Sequence, residues 1–366
     1  MNEIKYDPFA GIPRGSRIMI AFSGGVDSSV AAYLCQKAGM KVLAVSMSLL
    51  GKGTFDSARA EKTASMLGIP LEILELSDEF EERIMRYSWN EYSRGRTPNP
   101  CAVCNPVFKF GKLQEFAESR GCHALATGHY VRLIRGNENA APVLMKGVST
   151  DKDQSYFLYG LSREQLQYSC FPLGALTKDE VRAIAAELGL PTAHAPESQD
   201  ACFTPKDGTS LAEMLRLRFD GKAAKGNFVT PQGKILGRHN GIHAYTIGQR
   251  KGTGIALGCP AYVMKIDAAQ RQVVITTENQ DLLSRKVLLQ KANLLRDGYR
   301  FDTPFRCEVK IRYRSKAVPA LVRCFADYCE LEFDEPQRAV TPGQAAVFYD
   351  GEILIGGAWI ESAGKE

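Results

Sequence analysis

The residues with the plainest chemistry stand in one run, Ala21-Phe22-Ser23-Gly24-Gly25-Val26-Asp27-Ser28-Ser29. Two glycines let the backbone turn sharply and approach a ligand closely. Three serines and one aspartate supply hydroxyls and a carboxylate. The run follows the apolar stretch 18–22, which predicts a buried strand, and precedes 30–35, which predicts a helix ending near Gly39. Asp27 or Ser28 is expected to cap that helix, so that its first amides point at the turn. Strand, tight turn and helix N-terminus together make a phosphate cradle. No Lys follows the glycines as in a Walker A loop, and no G-x-G-x-x-G is present.

A second run, Arg96-Thr97-Pro98-Asn99-Pro100-Cys101-Ala102-Val103-Cys104-Asn105-Pro106, holds two thiols. Pro98 and Pro100 stiffen it, and Asn105-Pro106 is expected to open a helix. Cys104 would then sit at a helix N-terminus, where the dipole lowers a thiol pKa. A third run, Glu197-Ser198-Gln199-Asp200-Ala201-Cys202-Phe203, says little alone, and a buried inert Cys202 is its default reading.

The elements around these runs alternate strand and helix from 17 to about 131. Strands are expected at 41–47, 71–76 and 124–131, with helices at 56–67, 77–94, 106–120 and 177–188. Such alternation predicts a doubly wound, mostly parallel α/β sheet whose ligands lie at the carboxyl ends of the strands. Beyond about 204, glycines become frequent and strands short. A hairpin is expected at 263–276, and an all-β barrel or sandwich from about 287. Boundaries are expected near 204 and 282, giving domains 1–204, 205–282 and 283–366.

Composition agrees with a soluble chain. Its 366 residues are 45% hydrophobic and 24% charged, and no run is long enough to span a membrane. The first residues lack a signal-peptide core. A cytoplasmic location is therefore expected, with its ten cysteines mostly reduced. Residues 1–204 carry 22 Lys and Arg against 23 Asp and Glu; residues 205–366 carry 24 against 18. A basic second part suits polyanion binding, although scattered surface charge would look the same. Lys310-Ile311-Arg312-Tyr313-Arg314-Ser315-Lys316 alternates strictly, so on a strand four cations would share one face. Arg238, His239, His243, Arg250 and Lys251 form a looser cationic group. His129 fits either a ligand site or a satisfied strand end.

The turn Ser-Gly-Gly-Val-Asp-Ser-Ser resembles the pyrophosphate loop of the N-type ATP pyrophosphatases, with their adenine-nucleotide α-hydrolase-like fold. With it, in order, come Thr-Pro-Asn-Pro-x-x-x-Cys-Asn, Ala-Thr-Gly-His-Tyr, Lys152-Asp153-Gln154-Ser155-Tyr156-Phe157-Leu158, Ser-Gln-Asp-x-Cys-Phe and His243-x-x-Thr246-Ile247-Gly248-Gln249-Arg250-Lys251-Gly252. This set resembles the tRNA-specific 2-thiouridylases over about residues 17–360.

The resemblance implies that ATP, with Mg2+, adenylates the 2-oxygen of the wobble uridine in tRNA and that sulfur replaces it, releasing AMP and pyrophosphate. It implies ATP contacts at Ala21, Phe22, Ser23, Gly24, Gly25, Val26, Asp27, Ser28, Met47 and Gly128, with Asp27 near the magnesium-bound phosphates. Cys202 would carry a persulfide and Cys104 would be its partner nucleophile. Asn99, Pro100 and Cys101 would border the target base. His129, Lys152, Asp153, Gln154, Arg312, Tyr313 and Gln344 would touch tRNA. The sulfur would come from a persulfide donor such as a cysteine desulfurase or a sulfur-relay protein.

Two features depart from the commonest family pattern. The segment after Met47 is short, and Cys101 stands where Asp is frequent, making C-x-x-C with Cys104. Cys101, Cys104 and Cys202 could therefore hold an iron-sulfur cluster as sulfur carrier; a zinc site or an incidental pair are further readings. Rival functions are another ATP-dependent ligase on the same loop, which would need no thiols, and a non-catalytic RNA-binding protein.

Overall fold

The structure is a computed structural model that describes residues 6–51, 57–135, 141–193, 201–219, 221 and 223–364. The first strands are Arg17–Ala21 (β1) and Lys41–Ser48 (β2), joined through helix Val26–Lys37 (α1). Helix Ala58–Leu67 (α2) leads to strand Leu71–Glu75 (β3). A continuous helical run follows: Ser77–Phe80 (α3), a π-type stretch Glu81–Met85, and Arg86–Ser93 (α4). The next run repeats that plan with Pro100–Cys104 (α5), a π-type stretch Asn105–Lys112, and Leu113–Ser119 (α6). It starts six residues earlier than expected, because Asn99 accepts the Ala102 amide and Pro100 takes the first helical position.

Strand Ala124–Ala126 (β4) is short. The expected continuation to residue 131 breaks at Thr127-Gly128, and Val131–Ile134 (β5) pairs with Val143–Lys146 (β6) in a different sheet. Helix Arg163–Tyr168 (α7) precedes strand Ser169–Cys170 (β7), and helix Lys178–Glu187 (α8) carries a capping box between Thr177 and Glu180. The five-stranded parallel sheet has the order β3-β2-β1-β4-β7. Alternation within β1 sorts its two faces. Ile18 and Ile20 enter a core with Val30, Ala31 and Val181, whereas Met19 enters another with Phe110, Leu113 and Ala117. Helices thus cover both faces, as the doubly wound reading requires.

Helix Leu211–Phe219 (α9) packs Leu215 into a core with Trp89, Phe80 and Phe108. Strands Gly226–Val229 (β8), Ile235–His239 (β9), Tyr262–Asp267 (β10) and Gln272–Thr276 (β11) form a small sheet in the order β10-β11-β8-β9. The last strands are Leu283–Leu294 (β12), Phe305–Lys310 (β13), Val318–Cys324 (β14), Tyr328–Arg338 (β15), Ala345–Asp350 (β16) and Ile353–Gly364 (β17). β12 pairs with both β15 and β17, which closes a six-stranded antiparallel barrel. The β5–β6 hairpin joins the barrel at Met145 opposite Ile353, tying the first domain to the last. Cys324 and Cys329 form a disulfide between β14 and β15.

The alternating cations are not on one strand face. β13 ends at Lys310, and residues 311–316 turn back toward β14. Arg312, Arg314 and Lys316 are exposed on that turn, while Lys310 is half-buried, with desolvation lowering its pKa.

Candidate active site

The carboxyl end of β1 builds the first part of the site. Phe22 donates its amide to Val45 and accepts from the Ser46 hydroxyl at 2.6 Å. Gly24 turns with φ +66, and a Cβ there would lie 2.7 Å from Cα of Ala60 at the start of α2. The loop then holds itself with hydroxyls: the Ser28 hydroxyl accepts from the Ser23 amide, and the Ser28 and Ser29 hydroxyls donate to the Gly25 carbonyl. Gly25, not Asp27 or Ser28, occupies the N-cap of α1. A glycine has no side chain to bond the first-turn amides, so that end of the helix stays available to an anion.

Asp27 lies one position further, in the first turn. Its Oδ1 accepts from Tyr130 Oη and from Lys178 Nζ, each at 2.6 Å. Its other oxygen has no protein partner among the described residues. Gly128 faces the same loop. A Cβ there would stand 3.0 Å from the Asp27 carbonyl carbon and 3.1 Å from the Ser28 nitrogen. The glycine is thus required by the approach of two backbones, whatever else it touches. Met47, next to last in β2, packs against two apolar cores.

Two of the thiols, Cys101 and Cys104, lie on α5. Cys104 is buried with Phe80, Phe108 and Phe203, and Ala201 packs on the same core. Cys202, between Ala201 and Phe203, keeps an exposed face. Its neighbours still crowd it enough to raise its pKa, as for a thiol on the wall of an open cleft. The three thiols sense one another: charge on Cys202 or Cys101 raises the pKa of Cys104. Burial dominates, however, and pushes Cys104 up to about 12 and Cys101 above its ordinary value. The expected low-pKa thiol is therefore corrected. Cys104 closes the first helical segment instead of starting one, and desolvation outweighs any dipole. Glu197–Asp200, the remainder of the third run, fall outside the described residues.

The cation that opposes burial at all three thiols is Lys109, which no motif singled out. Two other contributors also escape a sequence reading. Lys178 and Tyr130 stand 151 and 103 residues from Asp27, and only the fold brings them to it. Asn105 is buried and donates to the Phe157 carbonyl, yet its Oδ1 has no partner among the described residues.

The loop 96–100 is the junction of the whole molecule. Arg96 pairs with Glu91 and with Glu361 of β17 at 2.7 and 2.8 Å. Thr97 bonds the Pro342 carbonyl through its amide and Thr246 through its hydroxyl. Gln344 donates to the Thr97 and Pro98 carbonyls. Asn99 is buried and lies close enough to Tyr156 to hydrogen-bond its hydroxyl, and Arg312 bears on the same phenol. Tyr313 packs on Phe157 with ring centroids 4.6 Å apart. Asn99, Gln344, Arg312 and Tyr313 thus converge around the cysteine loop.

Other expected RNA contacts are turned inward. Asp153 is buried and accepts from the Gly147 and Ser155 amides and the Ser155 hydroxyl. Gln154 accepts from the Tyr130 amide. His129 is buried between Phe110 and Phe171 and shares a hydrogen bond with Thr127, and burial drives its pKa well below 6.5. Its Nδ1 is thus engaged within the protein. His239 and His243 are buried as well, the latter on Glu213 at 3.1 Å, whereas Arg238, Arg250 and Lys251 are exposed. Lys152 is half-exposed at the start of its loop.

Three family models match in succession: "tRNA methyl transferase HUP domain" over residues 16–206, "tRNA methyl transferase PRC-barrel domain" over 217–277 and "Aminomethyltransferase beta-barrel domain" over 284–360. Curated relatives match nearly end to end. The "tRNA-specific 2-thiouridylase MnmA" of Trichlorobacter lovleyi is 43% identical over 361 residues, covering 95% of this chain and 98% of its own. That of Clostridioides difficile is 38% identical over 359 residues, covering 95% and 98%. "tRNA-specific 2-thiouridylase MnmA 1" of Caldanaerobacter subterraneus subsp. tengcongensis is 41% identical over 360 residues, covering 94% and 98%.

Proposed function

Because the chain belongs to the tRNA-specific 2-thiouridylase family, we propose that it replaces the 2-oxygen of the wobble uridine in tRNA with sulfur at the expense of ATP. What supports this reading is the anion-ready end of α1 after β1, together with two cysteines on α5 and a third, Cys202, whose charge bears on Cys104. The family models are described by methyl transfer and the relatives by thiolation.

The loop 21–28 and the open end of α1 would bind the ATP phosphates. Lys178 would move between Asp27 and a phosphate oxygen. The magnesium of MgATP would be held by the free oxygen of Asp27, where its charge neutralises the pyrophosphate leaving group. Adenylation makes the uridine 2-oxygen a good leaving group. A Cys202 persulfide anion then attacks C2, the C2–O bond breaks, and AMP leaves with the electron pair. Cys104 attacks Sγ of Cys202, whose bond to the outer sulfur breaks. That electron pair completes the thiocarbonyl, and the Cys104–Cys202 disulfide is reset by an external thiol. Asn99, Pro100 and Cys101 would border the base. Exposed Arg312, Arg314 and Lys316 would meet phosphates.

Among the described residues, no group of three or more His, Cys, Asp or Glu side chains is arranged to hold a metal ion. Among the described residues, no helix is long and apolar enough to cross a membrane, and we place the reaction in the cytoplasm with its tRNA and ATP. A persulfide donor protein would load Cys202 from its exposed face.

The test is thiolation of tRNA by full-length protein from a persulfide donor and MgATP. Cys104→Ser and Cys202→Ser should each yield no thiolated product while ATP binding stays at the wild-type level. Cys101→Ser should remain active. Full activity of both serine variants would point to a ligase that needs no thiols.

A further inference from the structure

Tyr130 stands between β4 and β5, where the chain leaves the parallel sheet for the hairpin that joins the barrel. Its two ends are held by different parts of the molecule. The hydroxyl donates to Oδ1 of Asp27 at 2.6 Å and shares that oxygen with Lys178, whose Nζ lies 5.6 Å from the centre of the Tyr130 ring. The backbone is clasped by Gln154. The Tyr130 amide donates to Oε1 of Gln154 at 3.1 Å, and the Tyr130 carbonyl accepts from the Gln154 amide at 3.2 Å. Gly147 closes on the same carbonyl, where a Cβ would lie 2.5 Å from the oxygen. Asp153 fastens the clasp by accepting from the amides of Gly147 and Ser155 at 3.2 and 3.1 Å. Tyr130 is buried in the core beneath the nucleotide loop, so its ring has little room to swing.

We propose that Tyr130 is a positioning residue for Asp27 and that Gln154 positions Tyr130, so that the 147–155 segment sets the carboxylate of the nucleotide loop. A hydroxyl bonded to a carboxylate is a strong and directional contact. Two donors on Oδ1 fix one edge of Asp27 and leave its other oxygen to MgATP. When Lys178 turns to a phosphate, Tyr130 is the donor that stays. Gln154 acts at one remove: among the described residues it forms no hydrogen bond with the 23–29 loop, and its route to Asp27 runs through Tyr130. This role differs from the tRNA contact that the family resemblance implies for Gln154. The assignment deepens the nucleotide-site reading given under the proposed function and rests on it. A contiguous chain of contacts becomes a coupling only when energies are shown to depend on one another, so the test is a double-mutant cycle.

The experiment is calorimetric titration of the full-length protein with MgATP in the absence of tRNA. Tyr130→Phe keeps the ring and removes the hydroxyl, and affinity should fall about tenfold. Gln154→Met removes the acceptor of the Tyr130 amide, and affinity should fall about threefold. Gln154→Glu keeps an oxygen at that place and should stay within about twofold of wild type. The double variant Tyr130→Phe with Gln154→Met should bind no more weakly than Tyr130→Phe alone, because Gln154 acts through the hydroxyl. Should Gln154→Met lower the urea midpoint, Gln154→Asn, which withdraws the same amide by one methylene, carries the comparison. Additive losses in the double variant would overturn the assignment, as would wild-type affinity in Tyr130→Phe. Wild-type MgATP affinity in Gln154→Met with weaker tRNA binding would overturn it too and give Gln154 to RNA. A wild-type protein that binds MgATP but thiolates no tRNA would remove the thiolase reading and leave the cycle to decide Tyr130. A wild-type protein that binds no MgATP would overturn both.

Discussion

At the end of β1, one oxygen of Asp27 already receives two donors, Tyr130 and Lys178, each at 2.6 Å. At the other region of the site, three thiols share a single opposing lysine, and burial holds them above their ordinary pKa. The first region is charged at rest and built largely from backbone: glycine turns, free amides and a helix end. The second is neutral at rest and built from apolar packing. A phosphate brings its own charge, so its site can be made in advance from donors. A sulfur nucleophile must acquire charge during the reaction; burial keeps Cys104 protonated until then, while Cys202 stands exposed where a donor can reach it.

The contrast can be broken at the nucleotide loop first. Gly24→Ala places a Cβ 2.7 Å from the Ala60 backbone at φ +66. The left-handed strain alone is worth roughly 1–3 kcal/mol, and α2 must also move. ATP affinity should fall by at least about tenfold in a calorimetric titration, while alkylation of Cys202 stays unchanged. Wild-type ATP affinity would show that the nucleotide does not use this turn. A smaller effect is expected from Lys178→Met. Loss of one charge-assisted bond to phosphate should weaken ATP or pyrophosphate binding by about tenfold, again without touching the thiols. An altered thiol profile would mean that the two regions are electrostatically one.

The smallest effect lies at alkaline pH and belongs to the sulfur region. Cys104 has a folded pKa raised from 9.0 to about 12, so its thiol favours the native state below 9. That contribution is lost as pH rises toward 12, because the unfolded chain releases the proton first. Urea unfolding should show wild type losing about 1 kcal/mol more than Cys104→Ser between about pH 9 and about pH 10. Equal losses would place Cys104 in a wetter setting than its packing indicates.

Much of the fold and of the nucleotide loop is legible in the chain itself. Ser23–Ser29 specifies strand, turn and helix because glycine and small hydroxyl residues admit few other local arrangements. Thr177 and Glu180 mark a helix start through a reciprocal cap. The paired strands 262–267 and 272–276 follow from alternation around a turn. What escapes is non-local. Residues 131–134 look like the end of a parallel strand, but their partners are 143–146 and their sheet is the barrel's. The alternation of Lys310–Lys316 survives as alternating exposure on a turn, since periodicity alone does not distinguish a strand from an irregular loop. The sequence neighbours of Cys104 point to a reactive pKa, and its neighbours in space decide otherwise. Lys109 lacks any motif, and only the fold brings its charge to bear on the thiols.

The 96–100 loop is fastened by residues from across the chain: Glu91 nearby, Thr246 in the middle, and Pro342, Gln344 and Glu361 near the far end. These are made at different times. On a ribosome, the ATP loop and its parallel sheet would be complete well over a hundred residues before Glu361 is added. Until then Arg96 lacks its last partner and the cysteine loop lacks its clamp. A nascent or truncated chain could therefore hold nucleotide without presenting an organised sulfur pocket.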